Sequence, residues 1–149
     1  MQPTDVDRAV WQAIYDHFIR QPTPPTLHDI ATRLALPPQA VAASYARLAA
    51  RQRLVLDPVT HALWMAIPFS AVPTDVQVQQ GAQRWWANCA WDALGIAAMI
   101  DAPLQITTVC PDCGEPIILA FPACLADAAA PVLHFAVPPA RWWDDIGAT

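Results

Sequence analysis

A chain of 149 residues, 55% apolar and 14% charged, has enough apolar side chain to bury a core, which excludes a disordered chain and leaves room for one ordinary domain or two very small ones. Its net charge of -5, with Arg supplying all eight basic residues, argues against a whole-protein nucleic-acid binder. Residues 1–7 are polar and acidic rather than a secretory signal, and the longest apolar stretch, residues 93–100, is far too short to span a bilayer. The expectation is therefore a cytoplasmic protein with no membrane partner. Its cysteines, Cys89, Cys110, Cys113 and Cys124, are expected as thiols or metal ligands rather than disulfides.

In chain order, Val6, Val10, Ile14, Phe18 and Ile19 recur at helical spacing, and Pro22, Pro24 and Pro25 end that helix. Thr26 can cap a short second helix holding Leu27, Ile30, Ala31 and Leu34. Pro37-Pro38 opens a third, with Val41, Tyr45 and Leu48 on one face. Leu54-Val55-Leu56, a turn at Asp57-Pro58, and Ala62-Leu63-Trp64-Met65 read as a hairpin. Three helices and a hairpin make the winged helix-turn-helix plan. Arg47, Arg51 and Arg53 are a thin phosphate footprint, so DNA is a weak candidate partner and a packing role is the simpler reading.

Residues 1–66 hold six Arg against five acids, and residues 67–149 two Arg against eight acids. That shift predicts a winged-helix-like part over 1–66 and a small mixed part over 67–149, an α+β fold. In the second part Val76 and Val78 alternate with polar residues and Gln80-Gly81 suggests a hairpin turn. Residues 90–100 read as a largely buried helix. Residues 104–109 and 117–119 read as strands around a Cys110-Pro111-Asp112-Cys113-Gly114 turn. Residues 132–137 read as a further strand, and Trp142-Trp143-Asp144-Asp145 as the start of a last short helix.

The most informative stretch is Arg84-Trp85-Trp86-Ala87-Asn88-Cys89-Ala90-Trp91-Asp92-Ala93-Leu94. Asn88 is a good N-cap. It would place Cys89 in the first helical turn, where free N–H groups and the helix dipole favour a thiolate. Asp92, three residues on, shares its helical face. A soft nucleophile beside a carboxyl that can pass a proton is a sensible pair; the alternative is a small buried Cys and an Asp that stabilises the helix start. Cys110-x-x-Cys113-Gly114 has the shape of half a zinc site, for which Cys124 and His134 are the spare ligands. As a redox dithiol it lacks the helix that Gly114 and Pro116 oppose, and as a β-turn it uses Gly114 in the left-handed region. His134, alternating with apolar neighbours, reads as a structural histidine. The Trp pairs at 85–86 and 142–143 read as core and packing residues.

Trp86-x-x-Cys89-Ala90-x-Asp92-Ala93-Leu94 resembles the catalytic segment of the organomercurial (alkylmercury) lyase family. The resemblance extends in order through Pro68-Phe69-Ser70-Ala71-Val72-Pro73-Thr74, Cys110-Pro111-x-x-Gly114-x-Pro116-Ile117 and His134-Phe135-Ala136-Val137-Pro138, and includes the amino-terminal winged-helix-like region. It implies cleavage of a carbon–mercury bond by protonolysis: Cys89 attacks mercury, Asp92 relays a proton to carbon, and mercury(II) stays on thiolates until a small thiol or a mercury reductase takes it. No cofactor is required. Cys89, Cys110 and Cys113 are the candidate mercury ligands under this reading, with structural zinc the other metal considered. In the family a second catalytic thiol precedes the His-Phe strand, at a place matching residues 128–130, which here are Ala. The family pattern also continues past the Trp-Asp region, so a truncated carboxyl terminus is expected, with a functional thiol or selenol beyond Thr149. Two other readings suit the same residues: a mercury- or metal-responsive winged-helix regulator, and a non-catalytic thiol-metal binding relative.

Overall fold

The computed structural model describes residues 5–126, 129 and 131–147. Helix α1 (Asp5–Arg20) buries Val10, Ile14 and Phe18, spaced by four, along one stripe. Helix α2 (Leu27–Leu34) opens on a capping box: Thr26 Oγ1 accepts from the Asp29 N–H at 3.1 Å while the Thr26 N–H donates to the Asp29 carboxylate at 2.8 Å. Helix α3 (Pro38–Ala49) starts on a proline, whose missing N–H costs nothing there. Asp7 of α1 is fully buried and accepts from Ser44 Oγ at 2.8 Å and Arg47 Nη2 at 2.6 Å, with Arg51 Nη1 at 3.6 Å. Two of the three arginines weighed for phosphate contact thus face an internal carboxylate.

The strands are β1 (Val55–Leu56), β2 (Leu63–Ala66), β3 (Phe69–Ser70), β4 (Gln77–Gln80), β5 (Gln83–Ala87), β6 (Leu104–Val109) and β7 (Pro116–Phe121), with helix α4 (Ala90–Ile100) between β5 and β6. They form one antiparallel sheet in the order β1-β2-β3-β5-β4-β6-β7. Gly81 takes a positive φ of 58° at the β4–β5 turn, which a side chain would strain. Helix α4 lies against β4, β5 and β6 and buries Ala93, Ile96 and Ala97.

The sheet crosses the charge boundary at residue 66, and so does the core. Phe18 stacks on Phe69 with ring centroids 4.8 Å apart. Buried Trp85 donates to the Phe18 carbonyl at 2.6 Å, and Tyr15 OH donates to the Ile67 carbonyl at 2.7 Å. The apolar cluster runs from Val10 to Ile106. Beyond Ile106 none of the described residues is buried.

Three sequence expectations change. Residues 132–137 form no strand; the sheet ends at β7, and prolines at 131, 138 and 139 bracket the run and deny it a ladder. The final short helix is a 3-10 turn over Pro139–Asp144, beginning before Trp142. Strand β3 was not anticipated, whereas β5 completes the hairpin that Gln80-Gly81 suggested and runs almost directly into α4. Among the described residues no helix is long and apolar enough to cross a membrane.

Candidate functional site

The amino-terminal end of α4 opens into a cavity of about 220 Å³. Cys89, Asp92 and Asn88 line one side, with Met65 and Ile67; the irregular segment 134–146 closes the other through His134, Phe135, Val137 and Trp142. Phe135 meets Trp91 edge-on with ring centroids 6.0 Å apart and lies tilted against Trp142 at 5.2 Å. Trp142 is fixed in turn by donating its ring N–H to the Val137 carbonyl at 2.8 Å. The walls are mainly apolar, with the thiol and the carboxyl together at one end.

Helix α4 is positioned from below. Asn88 donates its side-chain amide to the Pro68 carbonyl at 3.2 Å, and Gly95 lets the helix approach Pro68 so closely that an added Cβ would meet the proline ring at 3.3 Å. Asn88 is not the N-cap. Cys89 is, with φ -151° and ψ 178°, and its carbonyl accepts the first helical bond from Ala93 at 3.0 Å. Its sulfur therefore occupies the place where a capping side chain meets free N–H groups.

The backbone N–H groups of Trp91 and Asp92 lie near that sulfur and pull its pKa down, although the side chain makes no capping hydrogen bond. Burial and then the Asp92 carboxylate outweigh them, so Cys89 lies above the usual thiol range. This corrects the expectation of a thiolate at rest: the helix end favours the anion, but burial removes the water that would also favour it. Burial likewise raises Asp92 above the ordinary carboxyl range, against the opposing pull of Asn88 and Cys89. The two groups lie close enough to perturb each other, the Asp92 carboxylate raising the thiol and the thiol lowering the carboxyl. Such a pair can move a proton from sulfur to oxygen when a soft electrophile reaches the sulfur.

The other cysteines lie elsewhere. Cys110 and Cys113 bracket the β6–β7 turn, with the Gly114 N–H donating to the Cys110 carbonyl at 2.8 Å and the Cys110 N–H to the Glu115 carbonyl at 2.8 Å. Cys124 belongs to a 3-10 turn, Ala123–Leu125. None of the three lines the Cys89 cavity. Among the described residues no group of three or more His, Cys, Asp or Glu could hold a metal ion, so the zinc site considered from the sequence has no support: the Cys110–Cys113 turn brings two ligands, not four. Of the alanines at 128–130, residues 128 and 130 lie outside the described residues. His134, expected to be structural, is an exposed part of the cavity wall. Asn88, Phe135 and Trp142 are further site residues that sequence reasoning missed; nothing in the local pattern of residues 134–146 marks a segment that folds back over α4.

A family model described as alkylmercury lyase matches residues 69–149. No curated protein matches the chain. Among solved structures, the mercury-bound form of MerB2 is similar in fold, with a TM-score of 0.60 and 23% sequence identity over 79% of this chain and 56% of that one. The chain thus spans little more than half the length of that protein. The matched family model runs from β3 through α4 to the end, takes in more than half of the chain and includes Cys89, Asp92 and the cavity's far wall; the chain belongs to the alkylmercury lyase family.

Proposed function

We propose that this protein cleaves the carbon–mercury bond of organomercury compounds by protonolysis, with Cys89 binding mercury and Asp92 relaying the proton. The observation that supports this most is that Cys89 and Asp92, close enough to shift each other's pKa, both line one mainly apolar cavity. Organomercury arrives as R–Hg bonded to a small thiolate. As the Cys89 sulfur–mercury bond forms, the Cys89 proton passes to Asp92, and the small thiolate leaves and takes a proton from solvent. The enzyme then holds R–Hg on Cys89. A raised Asp92 pKa keeps a carboxyl proton available near neutrality, and that proton goes to carbon as the carbon–mercury bond breaks. R–H leaves. A small thiol supplies the second sulfur on mercury(II), and its proton restores the carboxyl. Mercury(II) departs to further small thiols or to a mercury reductase, which the cytoplasm would supply. Thiols and protons suffice for each step, without a cofactor.

We also infer that residues 1–66 follow the winged helix-turn-helix plan and residues 67–149 form the lyase part. The succession α1, α2, α3 and the β1–β2 hairpin supports the first division. The pairing of Arg47 and Arg51 with Asp7 favours a packing role over DNA binding. Tyr15, which holds the cavity-lining Ile67, is the link from α1 to the site.

The test is benzene release from phenylmercury in excess small thiol, for the protein and its Cys89→Ser and Asp92→Asn variants. Turnover that both substitutions abolish or cripple is expected. The cavity is lined by one cysteine, which favours as the second reading a chain that captures organomercury without turnover. Phenylmercury held on Cys89 with no benzene released would select it.

A further inference from the structure

The β6–β7 hairpin presents two sulfurs away from the Cys89 cavity. Six paired positions, from Leu104 opposite Phe121 to Val109 opposite Pro116, hold the hairpin in register. Its turn is closed by two hydrogen bonds of 2.8 Å, and Gly114 takes the φ of +73° that lets the chain turn back. Cys110 and Cys113 thus stand three residues apart within one tight, hydrogen-bonded turn. Cys113 is exposed.

We propose that Cys110 and Cys113 form a second, surface site that binds a two-coordinate soft metal ion of the mercuric class between their sulfurs. Soft ions select thiolates, and an ion content with two ligands in line needs nothing beyond this pair. Zinc wants four ligands, and no third ligand joins the pair among the described residues. In binding, two S–H bonds break, two S–metal bonds form and two protons leave to solvent, with no change in oxidation state. The site does not depend on the lyase reading, since such a pair takes the ion from solution whether or not Cys89 turns over.

The experiment uses the full chain carrying Cys89→Ser, so the cavity thiol is absent. Mercury(II) chloride is added in excess small monothiol, the protein is desalted, and retained mercury and the cysteines protected from iodoacetamide are determined by mass spectrometry. One mercury per chain is expected, with Cys110 and Cys113 both protected. Adding Cys113→Ser should weaken retention by about 10²-fold or more, the loss expected when two linked ligands become one, while Cys124→Ser should leave it unchanged. Circular dichroism verifies that each variant is folded. Mercury retention unaffected by changing both Cys110 and Cys113 to Ser, protection of only one of the pair, or equal retention of zinc(II) would overturn the proposal. Failure of the unmodified protein to release benzene bears on the Cys89 reading alone, so the two failures are distinguishable.

Discussion

Val10, Ile14, Phe18 and Trp85, in the first two thirds of the chain, are shut away from solvent, whereas Val132, Phe135 and Trp143 remain 92%, 37% and 37% exposed. The two regions do different work at one site. Residues up to Ile106 build the core, and that core fixes Cys89 and Asp92 through α4, Pro68 and Tyr15. Residues after Ile106 bury little, yet they supply the far wall of the cavity and the Cys110–Cys113 pair of sulfurs. Rigidity and chemistry at one face of the cavity come from burial; the opposite face rests on a few ring contacts and the Trp142 hydrogen bond. Stability and activity should therefore respond separately to substitution in the two regions.

The sharpest separation is expected at α4. Cys89→Ser should reduce benzene release to background, and Asp92→Asn should lower turnover by about 10²- to 10⁴-fold, the usual contribution of a positioned proton-transfer group. Gas chromatography of benzene measures both, and neither should move the urea unfolding midpoint of the protein downward. The converse belongs to the core. Phe18→Ala removes a fully buried ring stacked on Phe69 and should cost about 3–5 kcal/mol in urea unfolding, while the fraction that remains folded keeps its turnover per mole. Loss of turnover without loss of stability in Phe18→Ala would break the comparison.

A smaller effect is expected in the far wall. Phe135→Ala removes the ring between Trp91 and Trp142. It should raise KM for phenylmercury several-fold while changing unfolding by about 1 kcal/mol. The smallest effect concerns charge. The Asp92 carboxylate raises the Cys89 pKa, so Asp92→Asn should move the midpoint of Cys89 alkylation by iodoacetamide to lower pH. An unchanged or higher midpoint would mean that the carboxylate does not govern the thiol.

What could be read from the sequence follows the same division. The helical stripe of α1, the Thr26 cap and the β6–β7 strands flanking the Cys110 turn announce themselves in short-range spacing, and the structure contains each of them. The Cys89–Asp92 pairing is local too, one turn of helix, and was legible with its family resemblance. The protonation bias of Cys89 was not, because burial depends on chain segments far away in sequence. The cap illustrates the same limit: Asn88 has the better capping side chain, yet the cap falls one residue later on Cys89, and Asn88 instead donates to Pro68, 20 residues earlier. His134 and Phe135 reach the site only because residues 134–146 fold back across α4, and an apolar alternation there read as a strand for which the sheet offers no partner.

The most direct test of protonolysis at Cys89 and Asp92 is phenylmercury cleavage in D₂O with excess small thiol, with the benzene analysed by mass spectrometry. Exchangeable hydrogen on the thiol–carboxyl pair goes to carbon in this account, so monodeuterated benzene is predicted from the unmodified protein and none above background from Cys89→Ser. Unlabelled benzene, or labelled benzene released equally well by Cys89→Ser, would contradict it.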